Sequence, residues 1–164
     1  SLGLVGSEMC IRDRYYNVRM KFYPPHYLLV LSLCMLATWF FTETPTQTLP
    51  LNLVGLFFIG FGFLLAFNSI SKFLKAKTGV VPFSESTTLI TEGFYKYTRN
   101  PMYVGMNSFL LGLLIILNNP LNFIFLVVFF FIVRNMFVIK EEVQMEETFG
   151  EEYLTYKGKV RRWL

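Results

Sequence analysis

The sequence predicts an all-α, polytopic membrane protein with about four transmembrane helices, a C-terminal helical hairpin, and a cytoplasmic loop and tail. Three observations carry this. Hydrophobic residues make up 54% of the chain and charged residues only 16%, with 19 Phe, too little polar surface for a soluble domain. Four apolar stretches (Tyr27 to Phe41, Leu51 to Ile70, Met102 to Leu117, Leu121 to Ile139) contain no acid, and only the last contains a base, Arg134. Within the last, Phe123 to Val133 is apolar on every face, so a soluble bundle would leave Phe and Val in water.

Ahead of the first stretch, Leu4 to Arg14 resembles the translated read-through of a sequencing-library transposase adapter. Residues 1–14 therefore read as a scar, and Met20-Lys21-Phe22 as the expected native start, with a base ahead of the first apolar run. Without the scar the chain keeps one cysteine, Cys34, one histidine, His26, and no aspartate. That inventory argues against a disulfide, a zinc or di-iron site, and thiol chemistry.

The first and third stretches are short for a bilayer of roughly 30 Å, so Pro24-Pro25-His26 and Pro101 are expected to open their helices. His26, at that entrance, reads as an interfacial residue. Gly60-Phe61-Gly62 and the Ser108-xxx-Gly112 pair lie inside spans and read as close helix packing rather than phosphate binding. Asn118-Asn119-Pro120 is short enough to force the last two spans into an antiparallel hairpin. From Ser71 to Asn100, turn residues (Thr78-Gly79, Val81-Pro82, Ser84 to Thr88, Thr91-Glu92-Gly93) predict an ordered loop returning to the membrane at Pro101. After Lys140 the tail predicts a helix over Glu141 to Thr148, a stop near Gly150, and a short helix from Glu151 to Lys157.

Orientation is set by the bases. The Thr42 to Pro50 connection carries only Glu43, and Asn118-Asn119-Pro120 carries no charge. Arg19, Lys21, Lys72, Lys75, Lys77, Lys96, Arg99, Lys140, Lys157, Lys159, Arg161 and Arg162 fall on the other side, which places both termini in the cytoplasm. The basic tail from Lys157 to Arg162 is expected to meet anionic lipid headgroups rather than nucleic acid, with Trp163 as an interfacial anchor.

A guanidinium within an apolar span costs several kcal/mol unless it meets an anion or water. Helical spacing returns Arg134 and Glu141 to nearly one face, where they would bracket a pocket with Glu142 and Asn135 alongside; the alternative is that Arg134 snorkels to the interface. The segment Thr87 to Gly105 gathers turn residues, aromatics and bases at a helix entrance. Tyr95, Tyr97 and Tyr103 offer flat faces to a purine or a cation, and Arg99 offers a partner for a carboxylate; an interfacial aromatic belt is the other reading.

That segment, followed by a hairpin and then by Glu141-Glu142, Phe149-Gly150 and the paired Tyr153 and Tyr156, resembles the isoprenylcysteine carboxyl methyltransferase family and its phospholipid methyltransferase relatives, over roughly Phe73 to Leu164. The pattern departs from many members at Arg99-Asn100-Pro101, where they read Arg-His-Pro, and at Gly93-Phe94-Tyr95, where they read Gly-Pro-Tyr. The resemblance implies a small prokaryotic-type integral membrane methyltransferase in one domain (20–164), with its cofactor region at 78–105 and 134–164 and its site on the cytoplasmic face of a bacterial inner membrane. It implies S-adenosyl-L-methionine as methyl donor, bound by Thr88, Leu89, Ile90, Thr91, Tyr95, Asn100, Pro101, Met102, Tyr103 and Glu141, and no metal.

The acceptor is expected to be lipophilic and to enter from the bilayer, with Arg134 orienting an anionic acceptor and Glu142 beside the reacting groups. An ionised carboxylate acceptor needs no base. An amine or thiol would need one, and Glu142, Tyr95 and Tyr156 are the candidates. A small thiol or phospholipid amine as acceptor, and a non-catalytic scaffold or transporter subunit, remain alternative readings.

Overall fold

The computed structural model describes residues 22–42, 50–79 and 87–164. The expected adapter scar and Met20 start, most of the Thr42 to Pro50 connection, and the turns at Val81-Pro82 and Ser84 to Ser86 lie outside the described residues. The helices are α1 (Pro24–Phe41), α2 (Leu51–Lys75), α3 (Pro101–Leu117), α4 (Phe123–Val133), α5 (Ile139–Phe149) and α6 (Glu151–Lys159). A π-helical turn, Arg134–Val138, joins α4 to α5, and single 3-10 turns form at Gly93–Lys96 and Pro120–Asn122.

Among the described residues, three helices are long and apolar enough to cross a membrane: α1, α2 and the composite Pro120–Phe149; α3 is a shorter apolar helix. As expected, prolines open the short ones, Pro24 and Pro25 in α1 and Pro101 in α3, where a missing N–H costs nothing. α2 runs farther than its apolar stretch, placing Lys72 and Lys75 in its last turn, where cations favour the helix dipole. α5 stops at Gly150, whose φ of 51° suits a residue without Cβ.

α3 is central. Its contact with α2 is made backbone to backbone: a Cβ on Gly62 would lie 2.5 Å from the Gly105 carbonyl oxygen, and one on Gly112 would lie 2.5 Å from that of Gly55. These glycines are seven apart in each helix, two matched close approaches on one seam. The Ser108 hydroxyl donates to the Phe58 carbonyl at 2.8 Å on the same seam. Gly60 has nothing within 4 Å of a built Cβ, so of the Gly60-Phe61-Gly62 pair only Gly62 does the packing.

On the other side of α3, α1 and α4 close a core around Met35, Tyr103, Leu110, Leu117, Phe129, Val133, Phe137 and Val138. The hairpin turn forms at Asn118, whose left-handed φ of 48° ends α3. It is tied to α1 by polar contacts in an otherwise apolar layer. Asn119 Nδ2 donates to the Thr42 hydroxyl at 2.9 Å, and the fully buried Asn122 accepts from Thr38 and donates to the Met35 carbonyl. Trp163 packs on Phe130, ring centroids 5.2 Å apart, against the core.

Candidate active site

A cavity of about 460 Å³ opens where the N-terminus of α1, the C-terminal half of α2 and the first turn of α3 meet α5, α6 and the loop before α3. Its apolar wall comes from Pro24, Pro25, Ala66, Ile70, Phe73, Met102, Met106 and Met145, and its polar wall from Thr88, Tyr95, Arg99, Asn100, Tyr103, Glu141, Glu142, Gln144, Tyr153 and Tyr156. That division suits a ligand with one polar and one apolar part.

The polar wall is assembled from three segments distant in sequence. Tyr103, in the first turn of α3, donates its hydroxyl to Glu141 Oε1 at 2.8 Å. Glu142, next along α5, is buried and held by two guanidinium groups. Arg162 binds it in a fork, Nε to Oε1 at 2.8 Å and Nη2 to Oε2 at 2.7 Å, and Arg99 Nη2 lies 3.3 Å from Oε1. Arg99 Nη1 donates to the Tyr153 hydroxyl at 3.3 Å, while its Nε is buried without a hydrogen-bond partner among the described residues.

The loop before α3 is clamped onto the chain after α6. Thr98 forms a parallel bridge with Arg161, and the Arg99 N–H donates to the Arg161 carbonyl at 2.9 Å. The Thr98 hydroxyl and Asn100 Nδ2 both donate to the Arg162 carbonyl, at 3.0 and 3.1 Å. The Tyr156 hydroxyl donates to the Tyr95 carbonyl at 2.7 Å. On the far side of the loop, Lys72 of α2 pairs with Glu92 at 2.9 Å.

Burial pushes the Tyr95 hydroxyl well above the ordinary tyrosine range, with a hydrogen bond from Ser69 opposing it. Burial does the same to Tyr156, reinforced by the Tyr153 ring beside it. Tyr153 is raised by burial first and by the Glu142 charge second, partly offset by Arg99. The Arg162 guanidinium is held more firmly protonated by its hydrogen bonds to Glu142. Tyr95, Tyr153 and Tyr156 therefore stay neutral at physiological pH.

The structure brings Thr88, Leu89, Ile90, Tyr95, Asn100, Met102, Tyr103, Glu141 and Glu142 onto the cavity wall. It does not bring Thr91, which is exposed, or Pro101, which is buried as the start of α3. Nor does it bring Arg134. The expectation that Arg134 and Glu141 share a face assumed an unbroken α-helix, but the π turn between them inserts about one residue per turn and rotates α5 by about 100° relative to α4. Arg134 instead donates to Asn135 Oδ1 at 3.0 Å, off the cavity. Glu142, expected beside the reacting groups, is on the wall as a carboxylate occupied by two cations.

His26 stands on the cavity wall rather than only at the interface, its Nδ1 accepting from the Tyr23 N–H at 3.2 Å. Two bases of the tail expected at lipid headgroups are spent inside the protein, Arg162 on Glu142 and Lys157 on Glu146. Arg162 is the member of this charge cluster that sequence reasoning missed, because nothing local sets it apart from Lys159 or Arg161. The available signal was Tyr153 and Tyr156, three apart and so on one helix face turned toward that region.

A family model described as phospholipid methyltransferase matches residues 51–152. The chain is 36% identical over 63 residues to a Haemophilus influenzae protein described as uncharacterized, covering 38% of this chain and all of that one. It is 39% identical over 80 residues to the protein-S-isoprenylcysteine O-methyltransferase of Mus musculus, covering 47% of this chain and 27% of the mouse enzyme. Against the enzyme of that name from Saccharomyces cerevisiae it is 36% identical over 75 residues, covering 44% of this chain and 30% of the yeast one. The matched region thus spans less than a third of either methyltransferase. No solved structure matches the chain.

Proposed function

The chain belongs to the phospholipid methyltransferase family, and from that premise we propose that it is an S-adenosylmethionine-dependent methyltransferase acting on a lipophilic acceptor at the membrane, similar to the isoprenylcysteine methyltransferases. The observation that carries the reading is the two-sided cavity, whose polar wall holds a carboxylate, aromatic faces and a guanidinium N–H unpartnered among the described residues. These residues fit the donor. Its amino group and sulfonium call for a carboxylate and aromatic faces, which Glu141, Tyr95 and Tyr103 supply. Its carboxylate calls for Arg99 Nε, buried and without a hydrogen-bond partner among the described residues.

When bound, S-adenosylmethionine supplies an electrophilic methyl carbon for in-line displacement. The chain's own contribution is alignment and exclusion of water. Thr88, Leu89 and Ile90 line the cavity beside Tyr95, and Tyr156 fixes the Tyr95 backbone through its carbonyl. Met102, Met106 and Ile70 present an apolar wall for the acceptor's hydrocarbon part.

None of the three residues expected to serve as a base, Glu142, Tyr95 and Tyr156, is ready to do so. Tyr95 and Tyr156 hold their protons more firmly than free tyrosine, and Glu142 is engaged by Arg99 and Arg162. An acceptor already ionised at neutral pH, a carboxylate, needs none of them, whereas an amine or thiol would have to give its proton to His26 or Glu141, the other basic groups on the wall. The positive-inside pattern supports placing the site on the cytoplasmic side, with both termini there; a bacterial inner membrane and one domain spanning 20–164 are part of the same proposal.

The test is calorimetric titration of the detergent-solubilised full chain with S-adenosylhomocysteine. Saturable binding, weakened by Glu141→Gln, is expected. No binding by a folded protein would return the chain to a scaffold or transporter role.

A further inference from the structure

We propose that Glu142 and Arg162 are positioning residues that hold Arg99 with its Nε–H presented to the carboxylate of a ligand in the cavity. The inference rests on the proposed cofactor reading and assigns its carboxylate subsite to a charge latch closed by the tail.

Three cationic and anionic side chains meet at one point. Glu142 is buried, and each of its oxygens is taken: Oε1 by Arg162 Nε at 2.8 Å and by Arg99 Nη2 at 3.3 Å, Oε2 by Arg162 Nη2 at 2.7 Å. Three of the about four lone-pair sites of this carboxylate are taken by the two guanidinium groups. Its role is exerted through the cations it holds. Arg99, by contrast, spends Nη2 on Glu142 and Nη1 on the Tyr153 hydroxyl, and its Nε remains buried without a partner among the described residues while the residue lines the cavity. A buried guanidinium N–H left over in this way is costly unless a ligand atom fills it, and a carboxylate is the matching acceptor.

Arg162 does not line the cavity, so any effect it has on a ligand passes through the latch. With one anion between two cations, the cluster carries a net positive charge that a bound carboxylate would balance. Arg162 also lies beyond the residues matched by the family model, 51–152, so the latch completes the matched region from outside it. Its backbone is already tied to the loop, because the Arg162 carbonyl accepts from Thr98 and Asn100 while the Arg161 carbonyl accepts from Arg99 N–H. The side-chain fork and the backbone bridge therefore fix Arg99 from both ends.

The test compares two probes by calorimetry on the full chain in detergent: S-adenosylhomocysteine and its decarboxylated counterpart, which lacks only the carboxylate. The wild-type protein is expected to prefer the first. In Arg162→Gly that preference should fall about tenfold or more, the decarboxylated probe binding wild type and variant alike, and millimolar guanidinium or the Arg162→Lys change should restore part of it. Glu142→Gln should lose the preference as well. Equal weakening of both probes would show a merely structural tail, and an unchanged preference would show that Arg99 needs no latch; either overturns the proposal. Should Arg162→Gly fail to fold, Arg162→Gln carries the same comparison. A folded wild type that binds neither probe removes the cofactor reading and the latch's role with it, an outcome distinct from a wild type that binds both and prefers neither.

Discussion

The Tyr103 hydroxyl and the Glu141 carboxylate meet at 2.8 Å across the polar wall of the cavity, joining the first turn of α3 to the first turn of α5. A neutral amide cannot balance a cation, so Glu141→Gln is expected to weaken S-adenosylhomocysteine binding about tenfold or more. Tyr103→Phe removes one hydrogen bond and should cost about fivefold. Titration of both variants and their double mutant checks this. Losses that simply multiply in the double mutant would show that the two residues act separately.

The α2–α3 seam predicts a position-specific response to added methyl groups. Gly62→Ala places a Cβ against the Gly105 carbonyl and should destabilise the protein by about 1–3 kcal/mol, whereas Gly60→Ala, with nothing within 4 Å, should not. Thermal unfolding in detergent distinguishes them, and equal midpoints would mean that the two helices do not meet backbone to backbone at Gly62.

At the opposite end, Asn122→Ala leaves the Thr38 hydroxyl and the Met35 carbonyl without their shared partner. Hydrogen bonds between spans are worth about 0.6 kcal/mol on average and up to about 1.7 kcal/mol, so a loss within that range is expected on denaturant titration. Ligand affinity should not move, since Asn122 is not on the cavity wall.

The raised Tyr95 and Tyr156 hydroxyls give the pH dependence its sign. Each is harder to ionise in the folded chain than at the ordinary value of 10.0, so their contribution is fully present below that value and is lost as pH rises above it. Melting midpoints should fall above about pH 10, and Tyr95→Phe should flatten that fall. An unchanged alkaline slope in that variant would assign the effect elsewhere.

Arg134 lies off the cavity at the start of the π turn, so Arg134→Ala should leave S-adenosylhomocysteine affinity within about twofold of wild type. A larger loss, by a protein of unchanged melting midpoint, would place its guanidinium nearer the ligand than the structure does.

Much of the fold was legible from the residues alone. The spans, the proline entrances at Pro24 and Pro101, the Asn118 turn and the Gly150 stop all depend on neighbours within a turn or two. So does the loop from Thr88 to Tyr103, most of which reaches the wall as expected. Arg134 was misplaced because nothing in the uniformly apolar sequence of α4 marks the π turn that follows it.

By itself, then, the sequence determined that the chain is a helical membrane protein and which segments would face a ligand, because apolar length, helix breakers and turn residues act locally. Only the tertiary structure decided which charges pair. Glu142 has several glutamate neighbours and Arg162 several basic ones, and the choice between them is made where α5, the loop at Arg99 and the end of the chain converge. Such a contact is selected by burial, since a desolvated carboxylate must find its partners within hydrogen-bond reach, and that distance is set by packing among helices rather than by spacing along the chain.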